Sequence, residues 1–188
     1  MGVSAALQEH CKAIKLCRKD YKVVVALRLT VNPMNPVVIS STKSGNTEKV
    51  ALEIAQELNC KAIKISREPY FSTISLKDFD FVFIGTWVRG GEPSPDMLRF
   101  LKQLNLEDSN RLFALFMTWA GGGKSDVLTF NRVKHLLEAK NQRLLDGCYK
   151  CLGKTFGFAR RGHPDTQDLA EARKWARKTV CLPEKSSK

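Results

Sequence analysis

Short apolar runs alternate along the chain with stretches of helical spacing. The pattern predicts strands at residues 37–40, 61–65, 79–85, 111–119 and 144–152. It predicts helices at about residues 47–58, 95–104, 127–139 and 167–180. Because parallel neighbours need crossover connections, this alternation predicts a doubly wound α/β domain: a five-stranded parallel sheet with helices on both faces.

Start signals accompany two of the predicted helices. Ser94 is a suitable N-cap with Pro95 at the first helical position, and Asp165 or Thr166 can cap the last helix. The segment 1–34 does not follow the alternation, so we expect an N-terminal extension of unknown role before a domain at 35–181. A flexible lysine- and serine-rich tail is expected at 182–188.

Composition describes an ordinary globular protein with an unusual charge. Of 188 residues, 43% are hydrophobic and 27% charged, which suits one domain with a sizeable core. The formal net charge of +12 allows acidic proteins, nucleic acid or an anionic membrane surface as partners, without choosing among them. Six scattered cysteines and the lack of an apolar stretch of about 20 residues predict a cytoplasmic protein with no membrane span.

The stretch "SSTKSGNTEKV" joins the first predicted strand to the first predicted helix. Ligands bind to open α/β sheets at this carboxyl edge of the strands. Hydroxyls, one glycine and a helix N-terminus together can hold a phosphate. The alternative interpretation is a connection in which Ser44 or Asn46 merely caps the helix.

Three other phosphate-related patterns fit poorly. A dinucleotide fingerprint needs three glycines after the first strand, and this loop has one. The segment "TWAGGGKS" resembles a P-loop, but Thr118 replaces its first glycine and it follows the fourth strand. A response-regulator phosphoacceptor needs acidic residues at the ends of the first and third strands, where this chain has Ser40-Ser41 and Gly85-Thr86.

Three segments resemble the flavodoxin family: "STKSGNTEKVALEIAQEL", "DFVFIGTWVRGGEPSPDMLRFL" and "CYKCLGKTFGFARRGHPDTQDLAEARKWAR". The resemblance covers residues 36–181 and implies strand order 2-1-3-4-5 and FMN as cofactor. It implies a phosphate site formed by Thr42, Lys43, Ser44, Gly45, Asn46 and Thr47. It implies that two further loops hold the flavin ring: Thr86, Trp87, Val88, Arg89 and Gly90, then Thr118, Trp119, Ala120, Gly121 and Gly122.

The chemistry of those loops agrees with a flavin. The ring is a flat apolar plate with a polar rim, so it needs aromatic surfaces and backbone donors. Trp87 and Trp119 follow neighbouring strands at the same predicted sheet edge as the phosphate loop, beside glycines. Either tryptophan alone would be more typical of a core, and Trp175, at apolar spacing in the last helix, is interpreted as core.

The charge of this chain departs from the flavodoxin resemblance, because typical flavodoxins are acidic. We therefore expect a redox partner protein with an acidic docking surface. Arg89 and Lys124 near the flavin loops would make the anionic reduced flavin less unfavourable, which predicts a higher potential than in acidic relatives. Lys43 either adds charge to the phosphate site or points into water.

Two further features are interpreted as structural. Cys148 and Cys151 have the spacing of a redox or metal pair, but on a strand their side chains would face opposite sides. His163 precedes a helix and is interpreted as a structural or exposed residue. The sequence predicts no catalytic residues and no metal ligands.

The leading hypothesis is an FMN-binding electron carrier that passes electrons to or from a partner redox protein. One alternative is an FMN-dependent reductase of the NAD(P)H/quinone type. Another is a flavin-free basic binding module on the same fold, although no nucleic-acid recognition motif accompanies the spread basic residues.

Overall fold

The computed structural model describes residues 34–66, 74–104, 111–153 and 162–181. The predicted N-terminal extension, apart from Met34, and the predicted tail lie outside the described residues. So does most of the polar connection after the second strand. Within the described part, no helix is both long and apolar enough to cross a membrane.

The fold is built on a parallel sheet. Its strands are β1 (Pro36–Ser41), β2 (Lys61–Ile65), β3 (Phe81–Arg89), β5 (Leu112–Trp119) and β6 (Arg143–Leu152). They lie in the order β2-β1-β3-β5-β6, and all four neighbouring pairs are parallel. The predicted five-stranded doubly wound sheet and its order are therefore confirmed.

A short strand that the pattern did not predict extends one end of the sheet. β4 (Glu92–Pro93) pairs antiparallel with the end of β3, with Val88 opposite Pro93 and Arg89 opposite Glu92. The predicted end of the third strand at Gly85 was therefore wrong by four residues. Gly90 and Gly91, both with positive φ, form the turn, because φ angles of 60° and 85° are accessible to glycine.

Four helices cover the sheet: α1 (Asn46–Leu58), α2 (Pro95–Gln103), α3 (Ser125–Glu138) and α4 (Thr166–Val180). Ser94 caps α2 by accepting from Met97 N at 3.2 Å, as predicted. Asp165 rather than Thr166 caps α4, in a reciprocal arrangement with Asp168.

Each face of the sheet has its own apolar core. Residues of α2 and α3, such as Phe100 and Val133, pack with Ile84 and Leu115 on one face. Residues of α1 and α4, such as Ile54 and Ala176, pack on the other. The N-termini of α1 and α3 lie at the carboxyl edge of the sheet, because each of these helices follows a parallel strand. The start of α2 lies at the same edge, since Ser94 is hydrogen-bonded to Ser41 at the end of β1.

Candidate functional site

The first loop, residues 42–45, leads from β1 into α1. Gly45 occupies the N-cap position with φ 84°, and no described side chain caps the helix there. Thr42 Oγ1 accepts a hydrogen bond from Gly45 N at 3.0 Å, which folds the loop back over the start of α1. Lys43 and Ser44 are exposed, while Asn46 and Thr47 are buried below them.

This loop has the chemistry of an anion site. The first-turn N–H groups of an α-helix have no partner within the helix, and its dipole favours negative charge there. A Cβ at Gly45 would meet none of the described atoms within 4 Å, so the space over the helix end is open. The residues present therefore fit a phosphate group, because the exposed Lys43 and Ser44 lie beside the backbone N–H groups of this helix start.

The second predicted loop is mostly strand. Thr86, Trp87, Val88 and Arg89 continue β3, and only Gly90 of that set lies in the turn. The reason is pairing: Thr86 and Trp87 match Met117 and Thr118 on β5, and Val88 and Arg89 match β4. Predicting a loop at 86–89 was therefore wrong, although these residues do lie at the carboxyl edge of the sheet.

A chain of buried hydroxyl groups fixes this edge from below. Ser94 Oγ donates to Ser41 Oγ at 2.7 Å, and Ser94 N donates to Thr86 Oγ1 at 2.8 Å. Thr86 Oγ1 donates in turn to the carbonyl oxygen of Trp87 at 3.1 Å. These bonds join the ends of β1 and β3 to the start of α2, so Thr86 supports the edge instead of facing solvent.

The third predicted loop begins inside β5. Thr118 and Trp119 are its last residues, and Ala120, Gly121 and Gly122 follow as loop. The hydroxyls of Thr118 and Thr47 lie 2.8 Å apart in a buried hydrogen bond. This bond couples the start of α1 to the end of β5, so it connects the first and third segments directly.

Trp87 and Trp119 lie at the same sheet edge on opposite faces. Trp87 is the partner of Thr118 in the β3–β5 register, and Trp119 is one residue further along. Since side chains alternate along a strand, Trp87 lies on the side of the sheet that α1 covers, and Trp119 lies on the side that α3 covers. Both are half-buried, so each keeps surface for a planar ligand.

A charged pair not anticipated from the sequence supports Trp119. Lys150 Nζ on β6 lies 5.4 Å from the centroid of the Trp119 ring and 2.5 Å from Asp126 Oδ2 on α3. The hydrogen bond from Lys150 holds the pKa of Asp126 below its ordinary value, and the same bond raises the pKa of Lys150. Both groups therefore stay charged at neutral pH.

The two cysteines on β6 do not form a pair. Cys148 packs against the core between the sheet and helices α2 and α3, whereas Cys151 packs against the core on the opposite side of the sheet. Both carry free thiols, and burial raises the pKa of Cys151 to about 12. The prediction of two structural strand cysteines agrees with these positions.

His163 and Trp175 also have structural surroundings. His163 Nδ1 lies 2.6 Å from Asp168 Oδ2, the carboxylate that completes the α4 cap. The ring of Trp175 packs edge-on to Phe83 and beside Tyr149, which confirms it as a core residue.

Comparison with known proteins identifies the family. A model of the flavodoxin domain matches residues 37–160. The chain belongs to the flavodoxin domain family. It is 28% identical over 124 residues to the flavodoxin-like domain-containing protein BilS of Clostridioides difficile (strain CD3), covering 64% of this chain and 67% of that protein.

Solved structures show the same fold at low sequence identity. Oxidised Flavodoxin 1 from Bacillus cereus superposes with a TM-score of 0.60 at 18% identity, covering 79% of this chain and 99% of that one. A flavoprotein in complex with FMN from Lactobacillus acidophilus NCFM gives 0.51 at 16% identity, covering 62% and 93%. The family and fold together support a flavin-binding redox protein.

Proposed function

We propose that this protein binds FMN and carries electrons to or from a partner redox protein. The observation that carries the proposal is the start of α1, where a hydroxyl-rich loop covers a helix N-terminus that no described side chain caps. A buried hydrogen bond connects this anion site to the edge where Trp87 and Trp119 lie.

The proposed binding roles are supported by the chemistry of these residues and by their places at the sheet edge. The phosphate would be held by backbone N–H groups at the start of α1, by the hydroxyls of Thr42 and Ser44, and by Lys43. Trp87 and Trp119 offer aromatic surface at the sheet edge, and the glycines at 90 and 121–122 expose backbone N–H groups for a polar ring edge. FMN, when bound, supplies the one- or two-electron chemistry.

The titratable groups at this edge favour a carrier over a reductase that acts on a small substrate. Among the described residues, Lys43, Arg89 and Lys124 are exposed cations, and Lys150 and Asp126 are bound to each other. None is a histidine or a carboxylate poised to exchange protons with a substrate at neutral pH. An electron carrier needs no such group, since its protein part only binds, orients and shields the cofactor.

The first test is the visible absorption spectrum of the purified protein, followed by titration of the flavin-free form with FMN and with riboflavin. We expect flavin bands, and quenching of FMN fluorescence that saturates. Because riboflavin lacks the phosphate, it should bind about 100-fold more weakly. Equal affinity for the two would contradict the phosphate site, and no binding of either would contradict the whole proposal.

The alternatives give different results in two further assays. A reductase would oxidise NADH or NADPH rapidly with a quinone as acceptor and no partner protein. A flavin-free basic module would bind arbitrary DNA in a salt-sensitive manner whether or not FMN is present. We expect neither.

A further inference from the structure

Two aliphatic side chains are exposed together on the first turn of α3. Val127 is 52% exposed and Leu128 is 56% exposed. In the part of the chain that the structure describes, the other large hydrophobic side chain of similar exposure is Leu52 on α1. Single exposed aliphatics are common, but an adjacent pair beside a candidate site is typical of an interaction surface.

The β3–β4 turn extends this apolar pair into a continuous surface. Gly91 lies so close to α3 that an added Cβ would be 2.9 Å from Leu128 Cδ1. Arg132 Nε on α3 lies 3.4 Å from Glu92 Oε2 on β4, which holds the turn against the helix. We call the combined surface the α3 face; its members are Arg89, Gly90, Gly91, Lys124, Val127 and Leu128. Arg89 is included because it pairs with Glu92 across the turn, and the Glu92 carboxylate contacts Arg132 on α3.

The α3 face carries two cations, Arg89 and Lys124, although Glu92 lies opposite Arg89 in the β3–β4 pairing. Arg89 and Lys124 are exposed, and the ion pairs of 4.0 Å or less between described residues, such as those of Glu92 and Asp126, include neither of them. The nearby carboxylates already have cationic partners: Glu92 has Arg132, and Asp126 has Lys150. An apolar centre beside two exposed cations complements a surface whose apolar patch is bordered by carboxylates.

We infer that the α3 face docks an acidic redox protein, with Val127 and Leu128 at the centre of the contact and Lys124 and Arg89 facing partner carboxylates. The redox character of this partner rests on the proposed function. α3 begins at Ser125, directly after residues 120–124, so the partner would lie beside the loop that follows Trp119. A second copy of this chain fits poorly, because both copies would carry the same formal charge of +12.

The test measures binding of an oxidised plant-type [2Fe–2S] ferredoxin, an acidic electron carrier, by isothermal titration calorimetry at low ionic strength. We expect Lys124→Glu to weaken binding about tenfold, because it reverses a charge at the contact. We expect Leu128→Gln to weaken it about fivefold, because it removes apolar contact area. Only Lys124→Glu should also reduce the salt dependence of binding.

Matched controls lie on the opposite face of the sheet. Leu52 is as exposed as Leu128 and Lys174 is an exposed cation on α4, so Leu52→Gln and Lys174→Glu repeat both chemical changes away from the α3 face. Both controls should bind within about twofold of the wild type. Equal losses of affinity in the control and test variants would contradict docking at the α3 face. A wild-type protein that does not bind the ferredoxin would also contradict it. A dimer that Leu128→Gln dissociates in sedimentation would also overturn it, in favour of a second copy.

Measuring the same affinities without FMN separates the two proposals. Docking needs the α3 face and not the flavin, so the flavin-free protein should show the same order of variants. Variant effects that persist in a protein unable to bind FMN would support docking and contradict the proposed function. If the protein binds FMN but the test and control variants bind ferredoxin equally well, the result would support the proposed function and contradict docking at the α3 face.

Discussion

The loops before α1 and α3 are similar in sequence and geometry, but the first turn of α3 contains a buried carboxylate and the first turn of α1 does not. Each leads from a parallel strand into a helix that no described side chain caps, with Gly45 in one and three glycines of positive φ in the other. The start of α3, however, contains Asp126, whose carboxylate is only 8% exposed and is bound to Lys150. The acidic residue in the first turn of α1, Glu48, instead pairs with Lys64 on β2.

The difference explains which loop suits a phosphate. An anion at the start of α3 would meet the Asp126 carboxylate, which already occupies the favourable end of that helix dipole. At the start of α1 a Cβ added at Gly45 would meet no described atom within 4 Å, so there is space beside this helix start. The P-loop-like segment "TWAGGGKS" is therefore unsuited to phosphate for an electrostatic reason, in addition to its missing first glycine.

A carboxylate placed in the first loop should make the start of α1 as unfavourable for phosphate as the start of α3. We expect this change to have the largest effect on FMN binding. Gly45→Asp would put a negative charge beside the phosphate position, so we expect FMN to bind about 100-fold more weakly in a fluorescence titration. Gly45→Asn is the matched control, because asparagine has nearly the same shape and also tolerates positive φ. Equal losses in the two variants would mean that backbone strain, and not charge, governs this site.

A second pair of variants separates support of the edge from contact with the cofactor. Ser94→Ala removes the α2 cap and the bond to Ser41, so it should lower the free energy of unfolding by about 1–2 kcal/mol in urea. Ser44→Ala, on the exposed loop, should leave stability within about 0.5 kcal/mol but weaken FMN binding about fivefold. The reverse pattern would show that the roles of Ser44 and Ser94 are misassigned.

Lys43 should influence the affinity for FMN, whereas Lys124 should influence the flavin midpoint potential. Lys43→Gln should weaken FMN binding about threefold, and less at high salt, because an exposed ammonium contributes modestly to an ion pair. Lys124→Gln should leave affinity unchanged but lower the flavin midpoint potential by tens of millivolts, since it removes positive charge near the ring segments. Potentiometry that finds equal potentials in the wild type and Lys124→Gln would contradict the predicted effect of charge on the potential.

Much of the fold was predictable because local signals agreed with the tertiary structure. The strand at Lys61–Ile65 was predicted with its observed bounds, and Ser94 with Pro95 marked the start of α2. The extension of β3 to Arg89 was missed because the apolar run weakens after Gly85. Its pairing partners, Thr118 and Pro93, lie far along the chain or beyond the turn, so no local pattern shows them.

The candidate site was predictable in the first loop and less so elsewhere. Residues 42–47 are contiguous, so one stretch of sequence contains the whole arrangement. The bonds from Ser94 to Ser41 and from Thr47 to Thr118 span 53 and 71 positions, and the pair of Lys150 with Asp126 spans 24. Such contacts form only when strands and helices that are distant in the sequence pack together, so no single stretch of sequence contains them.

The pair of Asp126 with Lys150 can be tested by its pH dependence, which should be the smallest of these effects. The pKa of Asp126 is lowered in the folded protein, so the pair stabilises the fold above the ordinary carboxyl pKa of about 3.9. That stabilisation is lost as the pH falls through the lowered value. Asp126→Asn should therefore be less stable than the wild type at pH 7 by urea unfolding, and the gap should narrow below about pH 4.

Asp146 provides the control for this experiment. Its side chain is 97% exposed and lies 4.0 Å from Lys134, so Asp146→Asn should have the stability of the wild type throughout. If Asp126→Asn shows the same lack of effect, the carboxylate at the start of α3 does not stabilise the fold. If instead its gap from the wild type stays constant at all pH values, the difference arises from packing and not from charge. Either result would weaken the electrostatic contrast between the two loops, because that contrast requires a charged Asp126 held at the start of α3.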